Sequence, residues 1–447
     1  MQPSRVTRRE FVQHSAATLA AAATIGGAAR VAASDQPAVL GGQPLHAGNW
    51  PAWPITGAGE EQALRNVLQS GDWYRYSSGP SPVEQFERLW AEATGSRYCQ
   101  ATSSGTAALV TALGALGIGP GDEVLVPPYT FIATVNSVLL HHALPVFVDS
   151  DPVTGQIDPA EIALRTTGAT RCIIPVHLGG ASCDMDRLRE IAGQRRLQVV
   201  EDACQCHTGQ WKGKRLGTLG DAGCFSFQNS KNLTSGEGGA LLTSDESVYH
   251  RAQAFHNNGN GRFAHDGGFT ANGANFRLTE FQGALLLEQH QRLEQQSSRR
   301  EANAAYLDAL LAETEGVTPK KKLAGTTRHG YHLYIFDYDP QAFAGMKKDR
   351  FRAALQAEGI PVSGGYGATN KMPWVQQFLN ARGFRRIYGK QRLERWRDEN
   401  QLPANDRMIE TTCWLSQNIL LAERQDMELI AAAMRRVQKH AGDIAQK

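Results

Sequence analysis

The chain has 447 residues, 41% of them hydrophobic and 20% charged. At the usual ~100–200 residues per domain this is core material for two or three domains, which excludes a disordered chain. Lysine plus arginine total 46 against 44 aspartates plus glutamates, so the basic excess of a nucleic-acid binder is missing. No uncharged apolar run reaches the ~20 residues of a permanent membrane helix.

Residues 1–33 read as an address. Thr7-Arg8-Arg9-Glu10-Phe11-Val12 sets two arginines before an apolar residue, an Ala-rich stretch follows from about 15 to 29, and Val31-Ala32-Ala33 supplies small residues. That order resembles a twin-arginine (Tat) export signal, which predicts a periplasmic or other extracytoplasmic protein. An Ala-rich helix on a cytoplasmic protein is the alternative. Residues 34–58, with Gly41-Gly42, Pro51 and Trp53-Pro54, read as an extended N-terminal arm.

From 59 to 313 the pattern alternates. Residues 60–70 and 82–94 are helical, the latter with Val83, Phe86, Leu89 and Trp90 at helical spacing. A strand at 98–102 runs through Ser103-Ser104-Gly105-Thr106 into an apolar helix at 107–116. Short apolar strands recur at 123–126, 145–148, 172–176, 198–201, 223–227 and 240–243. Continuous apolar strands separated by helices predict an α/β fold built on a mostly parallel sheet covered by helices. A long helical section spans 278–313. Residues 314–447, with a strand at 331–336 and helices at 348–358 and 423–440, read as a smaller C-terminal α/β domain.

The seven cysteines, Cys99, Cys172, Cys183, Cys204, Cys206, Cys224 and Cys413, are odd in number and too sparse for a disulfide framework. Cys204-Gln205-Cys206-His207 has no second cluster at metal-site spacing, so no metal is expected.

Four stretches carry chemistry, and each alone is ambiguous. Val199-Val200-Glu201-Asp202 ends an apolar strand in acids. This sets Asp202 at the strand edge where ligands bind in open sheets, though an acid there is as often a helix cap. Gly223 to Lys231, followed by Gly236-Glu237-Gly238-Gly239, places a lysine in a polar turn between strands. A desolvated lysine becomes nucleophilic; a solvated loop lysine is the alternative. Ser103 to Ala107 opens a helix with free N–H groups suited to an anion, or is simply an N-cap. Ser226 adds a hydroxyl. Phe131 follows the strand 123–126, where an aromatic ring either stacks on a flat ligand or joins the core.

Together the four specify a phosphorylated aromatic aldehyde: an anion cradle, a stacking ring, a carboxylate for a ring nitrogen and an amine for the carbonyl. Their chain order resembles pyridoxal-phosphate (PLP) enzymes of fold type I, in particular the DegT/StrS-type sugar aminotransferases. The strings that carry the resemblance are Ser104 to Leu109, Thr130 to Thr134, Pro175 to Gly180, Glu201 to Ala203, Phe225 through Lys231 to Gly239, and Asn275 to Leu278. Pro51-Ala52-Trp53-Pro54, Ser70 to Tyr74 and Trp414 to Gln417 are most similar to the branch of 3-amino-5-hydroxybenzoate synthase and cyclitol aminotransferases.

The resemblance implies a seven-stranded sheet and pyridoxal 5'-phosphate as cofactor. It implies that Lys231 forms the Schiff base and shuttles a proton, that Asp202 keeps the pyridine nitrogen protonated, and that Gln205 lies on the phenolic-oxygen side of the ring. It also implies that Phe131 stacks on the ring, and that Gly105, Thr106 and Ser226 bind the phosphate. Asn275 would reach the phosphate of a neighbouring subunit, making the working unit at least a homodimer. The implied activity is transfer of an amino group from glutamate or glutamine to a keto-sugar, keto-cyclitol or related cyclic ketone. An aromatising synthase or dehydratase, and a non-catalytic exported PLP-binding protein, are the alternatives. The family's deoxygenating dehydratases carry His in place of the lysine, and Lys231 is present here. Cys204 and Cys206 stand where the family usually has Ala, Thr208 stands where Gly is common, and the export segment is a further departure from the family pattern. Arg262, Arg277 and Tyr366 are further candidates for binding a carboxylate or hydroxyls, and His177 is either structural or part of the site.

Overall fold

The computed structural model describes residues 35–77, 79–261 and 268–446. The segment read as an export signal (1–33) and Arg262 lie outside the described residues.

Seven strands, β1 (Tyr98–Thr102), β2 (Glu123–Val126), β3 (Leu144–Phe147), β4 (Thr170–Ile173), β5 (Gln198–Asp202), β6 (Ala222–Ser226) and β7 (Gly239–Thr243), form one sheet. Its order is β1-β7-β6-β5-β4-β2-β3. Strands β3, β2, β4, β5 and β6 are mutually parallel, while β7 runs antiparallel to both β6 and β1. Every residue of β2, β3, β6 and β7 is buried. That is the burial expected of a sheet covered on both faces, and it explains why these segments are uninterrupted apolar runs rather than alternating ones. Helix Gly105–Ala115 buries nine of its eleven residues, so it too lacks a polar stripe. The parallel strands direct Val126, Asp202 and Ser226 to one edge, where the chain leaves them for the loops that build the site.

A second apolar cluster gathers β8 (Val317–Pro319), β9 (Leu333–Tyr338) and β10 (Thr412–Ser416), an antiparallel sheet in that order, with helices Lys348–Ala357 and Arg424–Lys439. The long helix Glu280–Leu311 joins this cluster through Ala304, Leu307 and Leu311, while its Leu286 and Leu293 lie in the first core. Val39, Leu40, Leu45 and Trp50 of the arm pack on the second cluster. Expected strand and helix boundaries shift by a few residues: the strand read at 145–148 is Leu144–Phe147, and that at 331–336 is Leu333–Tyr338.

Three helices that the sequence pattern had not marked, Pro373–Leu379, Arg382–Asp398 and Pro403–Thr411, follow β9. The first two return to the first core, where Val375, Leu379, Phe384, Leu393 and Trp396 belong to it together with Leu402, although they lie beyond position 314; Met408 of the third packs instead with Tyr129, Leu178 and Trp414. The helices cover the outer edge of the sheet at β3. Trp396 Nε1 donates to Pro145 O at 2.6 Å, and Arg392 Nε pairs with Glu123 at 2.5 Å. A sheet edge left bare is a template for unwanted strand pairing. Among the described residues no helix is long and apolar enough to cross a membrane.

Candidate active site

Asp202 closes β5 and is 5% exposed. Its Oδ2 accepts from Thr134 Oγ1 at 2.7 Å, and its Oδ1 accepts from the Cys204 backbone N–H at 3.2 Å. Thr130 Oγ1 lies 2.9 Å from Thr134 Oγ1 and extends this chain. No arginine or lysine forms an ion pair with Asp202 among the described residues, so a buried carboxylate faces the site with hydroxyl and amide donors alone. Such a group calls for a cationic partner.

The neighbouring acid has a different duty. Glu201 is completely buried and accepts backbone N–H groups of Gly217 (2.8 Å), Leu219 (2.6 Å) and Gly220 (2.7 Å), with His177 Nε2 at 2.9 Å. His177 Nδ1 in turn accepts from Cys183 N–H at 3.3 Å. This histidine is therefore a structural tie between the strand and its loops.

Lys231 sits in the turn after β6, held by its own N–H to Gln228 O at 2.9 Å. Burial pushes its ammonium below the ordinary value of 10.5, against the opposing pull of Cys204 and Asp202. Its Nζ lies 3.4 Å from His332 Nε2. His332 is buried; burial, then the charges of Lys231, His207 and Arg300, drive its pKa well below 6.5. The amine therefore has an imidazole beside it and an acid nearby, but among the described residues no carboxylate is locked onto it.

Helix Gly105–Ala115 starts beside Ser226 at the end of β6 and beside Cys204. Ser104 caps it, accepting from Ala107 N–H at 3.0 Å, which leaves the first N–H groups free at the positive end of the helix dipole. Packing here is close. A Cβ on Gly105 would lie 2.7 Å from Ser226 Cβ and 2.9 Å from Cys204 Sγ, and one on Gly239 would lie 2.3 Å from Ser104 O. The Gly-rich turn read after Lys231 thus serves to bring β7 against the loop before the helix. Thr106 is half-buried beside Gly105, and Ser226 Oγ accepts from Gln228 N–H at 3.3 Å.

Phe131 is 57% exposed, at the mouth of the site beyond β2. Its ring centroid lies 6.4 Å from that of Tyr366, which also packs edge-on against Trp414 at 4.9 Å and Tyr129 at 5.8 Å. Gln205 is engaged at both ends: Oε1 accepts from Gly179 N–H at 2.8 Å, and Nε2 donates to Tyr366 Oη at 2.9 Å.

Asn275 stands apart. It is exposed, its Oδ1 accepting from Arg277 N–H at 3.3 Å, although the next residue ties its segment to the site through Ser103 N–H to Phe276 O at 2.7 Å. Arg277 donates to Asn257 Oδ1 at 2.8 Å and lies over the Tyr74 ring. The structure thus brings together Gly105, Asp202, Gln205, Ser226 and Lys231, with Thr106 and Phe131 at the rim. The cysteines and histidine of the 204–207 stretch diverge. Cys204 Sγ points to Cys224 O, Cys206 Sγ to Gly180 O and His207 Nε2 to Ser226 O.

Two participants escaped the sequence reading. Thr134 was visible only as part of a string. His332 comes from the second cluster, 101 residues from Lys231, where no local spacing could signal it.

These groups fit a phosphorylated pyridine aldehyde. Gly105 leaves no room for a side chain beside the free helix N–H groups, Asp202 is a buried acid with no ion-pair partner among the described residues, and Lys231 is a desolvated amine. On this fold the combination defines a pyridoxal-phosphate enzyme of fold type I. More narrowly, the profile of the DegT/DnrJ/EryC1/StrS aminotransferase family matches residues 54–384, and the chain belongs to that family.

Among its relatives, the L-glutamine:2-deoxy-scyllo-inosose aminotransferase of Streptoalloteichus tenebrarius is 35% identical over 425 residues, covering 91% of this chain and 98% of the relative. The enzyme of the same name from Streptomyces fradiae is 37% identical over 426 residues, covering 91% and 99%. The crystal structure of 3-amino-5-hydroxybenzoic acid synthase superposes with a TM-score of 0.78 at 30% identity, covering 88% of this chain and 99% of that one.

Proposed function

We propose that this aminotransferase takes the amino group of glutamine, or of glutamate, and delivers it to a cyclic ketone of the keto-cyclitol or keto-sugar type. The observation that carries the proposal is a desolvated Lys231 amine within electrostatic reach of the buried Asp202 carboxylate, whose own hydrogen-bond donors are Thr134 and the Cys204 N–H. The names of the S. tenebrarius and S. fradiae relatives support glutamine as donor and a cyclitol ketone as acceptor.

In this reading the cofactor supplies a carbonyl for the amine and a ring that takes up electron density. Lys231 would hold the cofactor and, once its amine is released, would take up and return the proton of the substrate carbon that bears the nitrogen. Asp202, kept in line by Thr134, holds a proton on the ring nitrogen. Gly105, Thr106 and Ser226 grip the phosphate, with the helix dipole adding attraction. Phe131 covers one ring face, and Gln205, fixed by Gly179 and Tyr366, borders the phenolic oxygen. Asn275, exposed on its own subunit, completes the phosphate site of a second copy, so the working unit is a homodimer. The arm (34–58), the large body from 59 and the smaller C-terminal body from 314 make up the mature enzyme, with the helices between 373 and 411 returning to the large body. Residues 1–33 direct its export.

A deciding experiment loads the purified protein with PLP, adds glutamine or glutamate, and follows conversion to the amine form by absorbance. 2-Deoxy-scyllo-inosose is then added and the product weighed. Amine gain on the ketone supports the proposal. Failure of both donors to convert the cofactor would leave a non-catalytic binder. The likeness to 3-amino-5-hydroxybenzoic acid synthase favours one second reading, an aromatising synthase. Loss of water from a cyclic ketone without nitrogen gain would select it.

A further inference from the structure

The groups around the Lys231 amine are chosen with an unusual restriction. Asp202 and Cys204 act on it through space, yet the atom nearest in hydrogen-bonding position is an imidazole nitrogen, His332 Nε2, at 3.4 Å. The backbone that carries His332 is fixed from several sides. Asn232 Nδ2, one residue after Lys231, donates to Gly330 O at 2.9 Å and Tyr331 O at 3.2 Å. Gly330 N–H donates to Gly180 O at 2.8 Å. A Cβ on Gly180 would lie 2.5 Å from Tyr331 N, so this contact requires glycine. Tyr331 itself takes φ 43°, in the left-handed region, with its N–H on His329 Nδ1 at 2.9 Å. A bulky residue in that conformation is held there by its surroundings. The strain delivers the next side chain, His332, to Lys231.

The charged and titratable groups that act on His332 are Lys231, His207 and Arg300. None is an acid. Arg300 is itself buried and, among the described residues, pairs with the backbone and side-chain carbonyls of Gln417 and the ring of Trp53. The imidazole is therefore kept neutral, and its Nδ1 has no hydrogen-bond partner among the described residues. A neutral imidazole has one N–H and one lone pair. Facing an ammonium, only the tautomer with the hydrogen on Nδ1 is attractive, with Nε2 as acceptor.

We propose that His332 is a positioning residue for Lys231, a neutral acceptor that aims the amine into the pocket without fixing it as an ion pair. A carboxylate in its place would hold the lysine as ammonium and stop it from attacking a carbonyl. A hydrocarbon would leave it unaimed. The inference rests on Lys231 being the cofactor lysine, which borohydride trapping of the wild-type holoprotein and peptide mapping test separately.

The test uses the full-length cofactor-free chain. Competitive acetylation of Lys231 across pH, read by peptide mass, gives the midpoint of its ionisation. The rate at which added PLP binds gives its readiness to react. In His332→Glu the midpoint is expected to rise by about 1–3 pH units and PLP capture at neutral pH to slow. His332→Gln, which restores a neutral acceptor, should keep the wild-type midpoint and capture rate. His332→Phe should slow capture about tenfold, the loss of one hydrogen bond of ~1.4 kcal/mol, with no upward shift of the midpoint. An unchanged midpoint in the folded Glu variant overturns the proposal. Should that variant not fold, the Gln and Phe pair decides: equal capture rates in the two overturn it.

Discussion

Replacing Gly105 by alanine tests the proposed phosphate cradle directly. The new methyl would lie 2.7 Å from Ser226 Cβ, 2.9 Å from Cys204 Sγ and 3.2 Å from Ser226 Cα. Ordinary carbon contacts are ~3.5–4.0 Å, so the start of the helix and the end of β6 must part by about 1 Å. Both sides are stiff. Gly105 is buried on a helix whose far side fills the core, and Ser226 ends a strand paired to β5 and β7. Overpacking of this kind costs about 1–3 kcal/mol, which urea unfolding of the cofactor-free protein would read. Parting by about 1 Å also misplaces Ser226 against the free helix N–H groups. Losing one charge-assisted hydrogen bond, worth ~1.5–3 kcal/mol, would weaken PLP binding roughly 10–100-fold, read by absorbance titration. Thr106→Ala serves as the comparison, since it removes a hydroxyl without adding a clash. Wild-type stability and wild-type PLP affinity in Gly105→Ala would refute the claim that this contact shapes the site.

Asp202→Asn should still capture PLP through Lys231, but its single-turnover rate with the amino donor should fall roughly 10–1,000-fold, the 1–3 units by which a nearby carboxylate shifts a partner's pKa; stopped-flow rates equal to wild type would count against the role of Asp202. Glu201→Gln turns an acceptor of three loop N–H groups into one that presents an NH₂ to some of them, and should cost about 3 kcal/mol in urea unfolding; a loss under ~1 kcal/mol would mean the tie is weak. Acid should also destabilise the chain through its buried histidines. Burial holds His207 and His256 down to about 3 and His332 well below 6.5. The unfolded chain takes up these protons near pH 6.5 and the folded chain does not, so the histidines' contribution is full above about 6.5 and is lost as pH falls toward about 3. The slope is about 1.4 kcal/mol per pH unit for each histidine. A flat unfolding midpoint between pH 6.5 and 5 would contradict this.

Much of this architecture was legible because parallel strands buried on both faces leave a strong local mark: β2 through β7 all surface as apolar runs. Asp202 was readable for the same reason, as the first acid pair after such a run. The glycines near Lys231 were readable as a turn, but their purpose, close packing of Gly239 on Ser104, is a tertiary fact. The helices from 373 to 411 were missed because Arg382, Arg385, Arg386, Lys390, Arg392, Arg395 and Arg397 dilute their apolar positions. Phe384, Leu393 and Trp396 are enough to bury one face against the sheet edge. His332 was invisible because it reaches the site from another body of the chain, and a single histidine before a strand has no spacing to betray it.

The cover over β3 has a cost in time. Pro145 and the indole that seals it are 251 residues apart in the chain. At ~5–20 residues per second of synthesis, roughly 10–50 seconds pass before the seal exists. During that interval a finished half-sheet offers its open flank to any neighbouring nascent chain. The polypeptide therefore becomes safe from self-association only near the end of translation, and shielding by a chaperone matters most to its yield in those seconds.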